Sequence, residues 1–329
     1  MPIMRQELDE TGRRIAAALL ASPRATWREV GRCLELSERT VVRHAVPLYA
    51  DGTLRATAVR SPMHFRGLVP MALRVRCRPN RIRQVAGALA RRADTIWVDV
   101  LGGGDEISAV LFLDGPDARN ALLLRDLPAT DAVRSWTAHT MLRVFPAAFR
   151  WTAGLLSAEE IGRLTPARPP APPRPPAPLD IDDALIEALV EDCRLSYTDL
   201  ARRAGVTAIT ARRRLDALLS GWVVRLATEV DLRLLGADAE ALLWITVQPG
   251  ALQATAETLA GHPQVWFVAA TTGPTNLLVA LAATDQDAVY TFLVGTIGAL
   301  TGITAIETTP LLATAKRAGL ARRSSRLLD

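Results

Sequence analysis

The sequence contains very little lysine: Lys316 is the only one, and arginine supplies the other basic residues behind the net charge of +5. Because such a skew can come from a GC-rich coding sequence, the abundance of arginine is no evidence for a nucleic-acid partner. The positions of the arginines have to supply that evidence. Cysteine is also scarce, and its three residues form no CxxC pair and no cluster with histidine. The sequence therefore indicates neither a disulfide framework nor a zinc site, and we expect buried free thiols in a reducing cytosol.

Features of exported and membrane proteins are missing as well. The first ten residues are acidic and lack the apolar region of a signal peptide. No apolar run approaches the ~20 residues that are needed to cross a bilayer. We therefore expect a cytoplasmic protein without a membrane partner, and its 329 residues are enough for two or more domains.

Motifs of common enzyme classes are absent too. The sequence has no nucleophile elbow, no P-loop and no dinucleotide fingerprint. We therefore expect no catalytic residue, no metal and no cofactor. The four histidines, which show no spacing typical of metal ligands, are His44, His64, His139 and His262.

One segment is very rich in proline and divides the chain almost in half. Between Pro166 and Pro178, eight of thirteen residues are proline, which favours an extended polyproline II spacer. Similar residues recur across this spacer at an offset of 170 positions, so we predict a tandem duplication. Matching pairs include Arg24 and Arg194, Thr40 and Thr210, Arg43 and Arg213, Arg55 and Arg225, and Gly103 and Gly273.

Each copy begins with three short helices in a helix-turn-helix arrangement. In the second copy, Ser196 has capping-box spacing, Gly205 suits a left-handed turn, and Thr207 caps the third helix. In the first copy, Glu35 occupies the turn position, and Pro47 lies inside the third helix, where it should bend or end that helix. We therefore predict that the second helix-turn-helix unit binds DNA more tightly than the first.

The third helix of the second copy carries three consecutive arginines. If the helix begins after Thr207, its apolar residues share one face, Arg213 lies in the middle of the opposite face, and Arg212 and Arg214 flank it. This placement suits a helix in the major groove of double-stranded DNA, with Arg213 at base edges and its neighbours at phosphates. A surface helix that is merely solvated is the alternative. The residues predicted to contact DNA are Arg39, Thr40, Arg43 and His44 in the first copy, and Thr207, Ile209, Thr210, Arg212, Arg213 and Arg214 in the second.

Behind each helical unit, strand-like and helix-like segments alternate in the order βαββαβ, which is typical of a ferredoxin-like domain. The predicted fold class is α+β, with two copies of a winged or plain helix-turn-helix domain, each followed by a ferredoxin-like domain. The predicted boundaries are 1–60 and 64–146 for the first copy, 147–178 for the linker, 179–235 and 238–315 for the second copy, and 316–329 for a basic tail.

This order of domains resembles the Lrp/AsnC (feast/famine) family of transcription regulators. The resemblance is strongest in "LDIDDALIEALVEDCRLSYTDLARRAGVT", "VDLRLLG" and "HPQVWFVAATTGPTNLL" of the second copy. It implies a RAM-type second domain that self-associates and binds a small effector, such as an amino acid, near the turn between its second and third strands. A plain hairpin turn is the alternative. The effector residues so implied are Gly102, Gly103, Gly104 and Asp105 in the first copy and Gly273, Thr275 and Asn276 in the second, and only Asp105 offers an ammonium group a carboxylate.

The same plan is also similar to the siroheme decarboxylases of haem biosynthesis. Such an enzyme would need a basic pocket in the sheet domain for substrate carboxylates, and Arg74, Arg76 and Arg78 lie at strand spacing in the first copy. A regulator partner that acts through protein contacts alone is a third reading. The arginine placement and the intact caps of the second copy favour a sequence-specific DNA-binding transcription regulator.

Overall fold

The computed structural model describes residues 8–62, 65, 67–145, 151–164 and 176–322. They form two compact units, one from Met1–Phe65 and Phe149–Gly236, the other from Arg66–Ala148 and Ala237–Asp329. Each unit therefore combines a segment from either side of the proline-rich stretch. Most of that stretch, predicted to be an extended spacer, lies outside the described residues. Within the described residues, no helix is both long enough and apolar enough to cross a membrane.

The elements before the proline-rich stretch follow one another in a simple order. A 3-10 turn at Pro79–Arg81 precedes α4, and a π-helical turn at Leu122–Asp126 follows α5. The helices and strands are α1 (Glu10–Ala21), α2 (Trp27–Leu34), α3 (Glu38–Ala50), β1 (Arg55–Arg60), β2 (Leu68–Cys77), α4 (Ile82–Arg91), β3 (Thr95–Leu101), β4 (Glu106–Asp114), α5 (Gly115–Ala121), β5 (Val133–Val144) and α6 (Ala158–Leu164).

The elements after it repeat that order. A 3-10 turn at Leu232–Leu235 precedes β7, and a π-helical turn at Phe292–Ile297 follows α11. The helices and strands are α7 (Asp182–Glu191), α8 (Tyr197–Ala204), α9 (Ala208–Ser220), β6 (Val224–Glu229), β7 (Ala239–Val247), α10 (Leu252–Ala260), β8 (Val265–Thr271), β9 (Leu277–Ala283), α11 (Gln286–Thr291), β10 (Ile303–Arg317) and β11 (Leu320–Ala321). The bounds of α2 and α8, of α3 and α9, and of β3 and β8 each differ by 170 residues.

In the first unit, the hydrophobic core of the second set of helices includes a strand of the first set. Strands β1 and β6 pair antiparallel, with Thr57 opposite Ala227 at the middle of the register. Buried Ala56 and Ala58 of β1 belong to the same cluster as Leu185 and Leu215, which come from α7 and α9. Because the strand of one set packs on the helices of the other, neither set has a complete core of its own.

Two arginines fasten the sets to each other reciprocally. Arg24 donates hydrogen bonds to the carbonyls of Cys193 and Leu195, and its guanidinium lies 5.0 Å from the centre of the Tyr197 ring. Arg194 donates to the carbonyls of Pro23 and Ala25 at 2.7 and 3.1 Å, and stacks 4.1 Å above the Trp27 ring. Charged donors to backbone carbonyls are among the stronger hydrogen bonds of a protein.

The second unit is an antiparallel sheet that closes on itself. Its strands lie in the order β10–β3–β4–β2–β5–β8–β9–β7, and β7 pairs again with β10. The register is repeated as well: Leu311 faces Leu101 and Met141 faces Thr271, an offset of 170 residues in both strands. Helix α4 packs on β3, β4 and β10, and helix α10 packs on β8 and β9. The fold is therefore mixed α+β.

The predicted basic tail is wrong at its start. Lys316 and Arg317 are the last residues of β10 and are each about 5% exposed. Lys316 Nζ donates a 2.6 Å hydrogen bond to the carbonyl of Arg92, and burial lowers its pKa. Arg317 pairs with Glu240 at 2.6 Å. Both cations therefore belong to the sheet, and residues 323–329 lie outside the described part of the chain.

The predicted linker also contains an ordered helix. Ser157 caps α6, and its own N–H donates to Glu160 at 2.8 Å, which is a capping box. Glu160 in turn pairs with Arg14 of α1 at 2.5 Å, and its carbonyl accepts from the Cys33 thiol. Helix α6 therefore packs on the first helix-turn-helix set, a contact that the proline content nearby did not suggest.

Candidate functional site

The first candidate site is the outer face of α9. Thr207 caps the helix by accepting from the Thr210 N–H, and the two hydroxyls lie 2.9 Å apart. Ala211, Leu215 and Leu218 are buried on the inner face, as predicted. The cap and the buried stripe fix the rotation of the helix, and with it the side chains that point outward.

Three residues of α9 project from the unit. Ile209 is 83% exposed, which is unusual for a large apolar side chain. Arg212 has a side chain that is 69% exposed and lies 4.0 Å from Asp216. Arg213 is exposed, and no ion pair joins it to another described residue. An apolar group between two accessible guanidiniums can contact both base edges and phosphates.

Arg214 does not lie on that outer face. Its guanidinium forms a bidentate pair with Asp182 at 2.6 and 2.5 Å and donates to the carbonyl of Ala177 at 2.7 Å. The side chains of Arg214 and Asp182 are only 10% and 14% exposed. The geometry contradicts the expectation that Arg214 reaches a phosphate, because Asp182 already neutralises its charge. Arg214 instead ties α9 to α7.

The outer face of α3 is built in the same way. Ser37 caps the helix by accepting from the Thr40 N–H at 3.1 Å, and Arg39 and Arg43 are exposed. The turn before it contains Glu35 in the left-handed conformation, with φ 57° and ψ 37°. The corresponding turn before α9 uses Gly205, with φ 65° and ψ 30°. The turn prediction is therefore confirmed in both copies.

Two details of α3 differ from the prediction. The helix does not end at Pro47 but continues to Ala50. His44, predicted to contact DNA, lies inward, with its side chain 19% exposed and its Nδ1 3.7 Å from Asp9 Oδ1. Asp9 is the residue that caps α1. His44 therefore ties α3 to α1, as Arg214 ties α9 to α7.

The second candidate site is the turn between β3 and β4. Gly102 donates to the carbonyl of Pro310 at 2.7 Å, and a Cβ on Gly102 would lie 3.2 Å from that oxygen. Gly104 has φ +72°, a conformation that glycine adopts without strain. Asp105 is half-buried, and its carbonyl accepts from the Cys77 N–H. These two glycines thus have structural roles, while Gly103 is exposed and the carboxylate of Asp105 stays near the turn.

The equivalent turn between β8 and β9 is occupied by the protein itself. The imidazole of His139 packs on Gly273, where a Cβ would come within 2.2 Å of Nδ1. The amide of Asn276 accepts from the Val247 N–H at 2.9 Å and donates to the Val247 carbonyl at 2.8 Å. The carbonyl of Thr275 accepts a hydrogen bond from a neighbouring threonine hydroxyl at 3.0 Å. The hydrogen-bonding groups of Asn276 and the carbonyl of Thr275 are therefore already used within the protein.

Asp105 and Asn276 do not occupy equivalent positions in the two turns. With the offset of 170 that relates β3 to β8, the counterpart of Asn276 is Glu106. Glu106 accepts from Arg74 Nε at 2.6 Å, and the same guanidinium bonds Glu307 at 2.6 Å. The hydrogen bond from Arg74 lowers the pKa of the Glu307 carboxyl group. Glu106 is therefore a partner of Arg74.

The arginines that could form a basic pocket all face acids. Besides the contacts of Arg74, Arg76 lies 3.9 Å from Glu106 and Arg78 pairs with Asp131 at 2.8 Å. Each cation therefore has a carboxylate beside it, so the three do not form an uncompensated positive surface. Of the four histidines, His64 lies outside the described residues.

Sequence reasoning missed a buried polar cluster in the closed sheet. Asp99 accepts from Thr314 Oγ1 at 2.6 Å and lies 4.0 Å from the Arg317 guanidinium. Arg317 also pairs with Glu240 and lies over the Trp266 ring. Burial raises the pKa of Asp99 to about 6, against the opposing effect of Arg317. The acid that interrupts the apolar run "TIWVDVL" was the available signal.

Comparison with known proteins identifies two domains in the second half of the chain. A model of the AsnC-type helix-turn-helix domain matches residues 180–219, and a model of the Lrp/AsnC ligand binding domain matches residues 240–320. The chain is 28% identical over 144 residues to an uncharacterised HTH-type transcriptional regulator of Pyrococcus horikoshii. This alignment covers 44% of this chain and 90% of that protein. The chain is 29% identical over 125 residues to the HTH-type transcriptional regulator LrpA1 of Halobacterium salinarum, covering 38% and 88%.

One solved structure is similar over nearly the whole chain. The siroheme decarboxylase NirDL aligns with a TM-score of 0.58 and 12% identity, covering 97% of this chain and 96% of that one. At that identity the similarity concerns the fold alone. The two domain models, by contrast, match the sequence of both segments that carry the candidate sites of the second copy. Over residues 180–219 and 240–320, the chain is similar in sequence to the two domains of the Lrp/AsnC family.

Proposed function

We propose that the protein is a sequence-specific DNA-binding transcription regulator whose helices α3 and α9 enter the major groove. The observation that carries this proposal is the outer face of α9, where Arg212 and Arg213 flank the exposed Ile209. Arginine in the groove can grip guanine, and apolar groups can contact the thymine methyl. The relatives named as HTH-type transcriptional regulators support the same reading.

We further propose that the chain arose by tandem duplication and that both sheet segments are ferredoxin-like, with the second segment extending to Arg317. The support is the repeated element order, the matched bounds of α3 and α9, and the repeated register of the closed sheet. Self-association through these segments then takes place inside one chain.

An effector, in this proposal, binds at one turn per chain. The turn at 102–105 leaves Asp105 half-buried and near solvent, so its carboxylate can meet the ammonium group of an amino acid. The turn at 273–276 is already filled by His139 and by the hydrogen bonds of Asn276. The ligand binding domain named by the family model supports a small-molecule role for this unit.

Catalysis is not part of the proposal. An enzyme that acts on siroheme would need free cations for the substrate carboxylates, whereas Arg74, Arg76 and Arg78 each face an acid. The visible absorbance of siroheme should therefore stay unchanged when the protein is added. A shifted spectrum with loss of carbon dioxide from the tetrapyrrole would favour the enzyme instead.

DNA binding is tested by selecting a preferred site from random duplexes and then comparing alanine variants on it. Arg213→Ala should cost about 1–3 kcal/mol and relax the preference at one base position. Arg212→Ala should weaken binding to all sequences and reduce the salt slope by roughly one. Arg43→Ala should cost less than Arg213→Ala if the first helix-turn-helix is the weaker one.

The matched control removes an arginine far from α9 in the chain. Arg125 has a side chain that is 75% exposed, and Arg125→Ala changes the net charge by the same amount. It should leave both the affinity and the preferred site unchanged. If Arg213→Ala behaves like Arg125→Ala, the outer face of α9 is only a solvated surface.

The effector proposal is tested by thermal shift with the twenty amino acids. One of them should stabilise the parent protein, Asp105→Ala should lose the response, and Asn276→Asp should not create a second one. If the thermal shift persists in Asp105→Ala, the turn at 102–105 does not bind the effector, and its glycines serve only to form a hairpin.

A further inference from the structure

The outer faces of α3 and α9 share a frame but differ in the side chains they present. Both helices have thirteen residues, and an exposed arginine occupies the same position in each, Arg43 and Arg213. The neighbouring positions do not match. One is Arg39 in α3 and Ile209 in α9, and another is Val42 in α3 and Arg212 in α9. The two helices therefore offer the same central cation with the flanking cation and apolar group exchanged.

The two helices also belong to one body. Strand β1, which follows α3, contributes Ala56 and Ala58 to the core on which α9 packs, and the reciprocal contacts of Arg24 and Arg194 join the two sets. The antiparallel pairing of β1 with β6, centred on Thr57 and Ala227, relates one set to the other by an approximate two-fold axis. Both faces are therefore presented together, in inverted orientation and at a fixed spacing.

We infer that one chain recognises an asymmetric operator, with two inverted half-sites of different sequence. This inference rests on the proposed function. A symmetric dimer has two identical recognition helices and therefore reads two identical half-sites. The single chain has two unlike helices in the same two-fold frame. Its operator keeps the inverted arrangement and the spacing of a palindrome while the bases differ.

The exposed side chains of α3 and α9 predict which bases differ between the two half-sites. Arginine commonly grips guanine through O6 and N7, whereas an apolar side chain contacts the thymine methyl. The position read by Arg43 and Arg213 is the same base, guanine, in both half-sites. The position that faces Arg39 is guanine in one half-site, and the equivalent position that faces Ile209 is thymine in the other. At the next position the exchange is reversed: the base that faces Val42 is thymine in the first half-site, and the base that faces Arg212 is guanine in the second.

The test selects preferred sites for the full-length protein from a pool of random duplexes long enough to hold two half-sites. The expected motif has two inverted half-sites that share one guanine and differ at flanking positions. A palindrome of identical half-sites, or a motif with one half-site alone, would overturn the inference and leave DNA binding intact. Failure to enrich any sequence would refute the proposed function and the inference with it.

A variant converts the asymmetry into symmetry. The double substitution Arg39→Ile with Val42→Arg gives α3 the outer residues of α9, and its positions lie on the surface of the unit. Selection with this variant should return a near-palindrome built from the α9 half-site, and affinity for the parent operator should fall about tenfold. The melting temperature reports that the fold is unchanged. A variant that still selects the parent motif would show that α3 does not read bases, which overturns the inference.

Discussion

At the scale of single residues, the members of each predicted DNA-contact set divide into two groups. His44 and Arg214 occupy equivalent positions, and each lies against an aspartate of the first helix of its own set, Asp9 and Asp182. Arg43 and Arg213, one position earlier in their helices, are exposed. A rotation of 100° along the helix thus separates the residues that hold the helix from those that can meet a ligand.

Arg214→Ala should therefore act on stability rather than on phosphate binding. Removing Arg214 leaves the Asp182 carboxylate with a side chain only 14% exposed, and charged hydrogen bonds of this kind contribute about 1–3 kcal/mol. We expect a lower free energy of unfolding in urea and an unchanged salt slope of DNA binding. The double variant with Asp182→Ala should recover part of the loss, because no charge is left unpaired. If Arg214→Ala reduces the salt slope of DNA binding and leaves stability unchanged, Arg214 contacts a phosphate as the sequence predicted.

Asp99 makes stability depend on pH in a defined direction. Burial raises its pKa in the folded state to about 6, while an aspartate in the unfolded chain titrates near pH ~4. The folded state therefore binds more protons between these values, and the free energy of unfolding rises as the pH falls through that window. Asp99→Asn removes this contribution, which amounts to roughly 3 kcal/mol at most.

The measurement compares urea unfolding of parent and Asp99→Asn at pH 7 and at pH 4. The parent should gain stability relative to the variant as the pH falls. Asp131→Asn, at an aspartate whose side chain is 81% exposed, is the control for the loss of one carboxylate. A difference between parent and Asp99→Asn that stays constant with pH would mean that the buried carboxylate stays ionised throughout the range.

At the scale of elements, the two turns before α3 and α9 form a natural pair. Both are left-handed, but one is made by Glu35 and the other by Gly205. A side chain in this conformation costs about 1–2 kcal/mol per residue. The space around Gly205 is open, since a Cβ there would meet nothing within 4 Å. Substitutions at the two turns therefore report on the backbone conformation.

Glu35→Gly should stabilise the protein by roughly 0.5–1 kcal/mol, and Gly205→Ala should destabilise it by about 1 kcal/mol. Both values are read from urea unfolding of the full chain. If Glu35→Gly lowers stability instead, the ion pair between Glu35 and Arg163 at 3.9 Å contributes more than the strain of the turn costs.

The sequence predicted elements better than partners, for a physical reason. Caps such as Thr207 and the spacing of buried residues act within a few positions, so α9 was located correctly. The partner of Arg214 lies 32 residues earlier, and nothing in the local pattern identifies Asp182. Helix α6 was missed because the proline content of the linker masked the capping box at Ser157. The filling of the Gly273 turn by His139 likewise depends on the register between β5 and β8.

At the scale of the whole molecule, both units are shared between the two halves of the chain. The first unit needs the helices of both halves, and the closed sheet takes four strands from each of them. An isolated helix-turn-helix such as residues 1–60 therefore lacks part of its core. Comparisons of the two DNA-binding helices have to be made with point variants of the full chain.

Cutting the chain within residues 165–175, at an inserted protease site, should leave the halves associated. The fragments should co-elute in size exclusion, because β1 pairs with β6 and β5 pairs with β8 across the cut. After cleavage the melting temperature should fall on dilution more steeply than before, since folding now depends on association. Separate elution of two folded fragments would contradict the shared core.

Strand β10 gives this arrangement a consequence in time. It pairs with both β7 and β3, yet it is made roughly 200 residues after β3 has ended. At a synthesis rate of about 5–20 residues per second, the edge of β3 stays unpaired for about 10 to 40 seconds until β10 is made. An unpaired edge of this kind accepts a strand from any chain that supplies one. When several ribosomes translate one messenger RNA, the chain on the ribosome ahead is longer and already contains β10. The strand that reaches β3 first can therefore come from that chain.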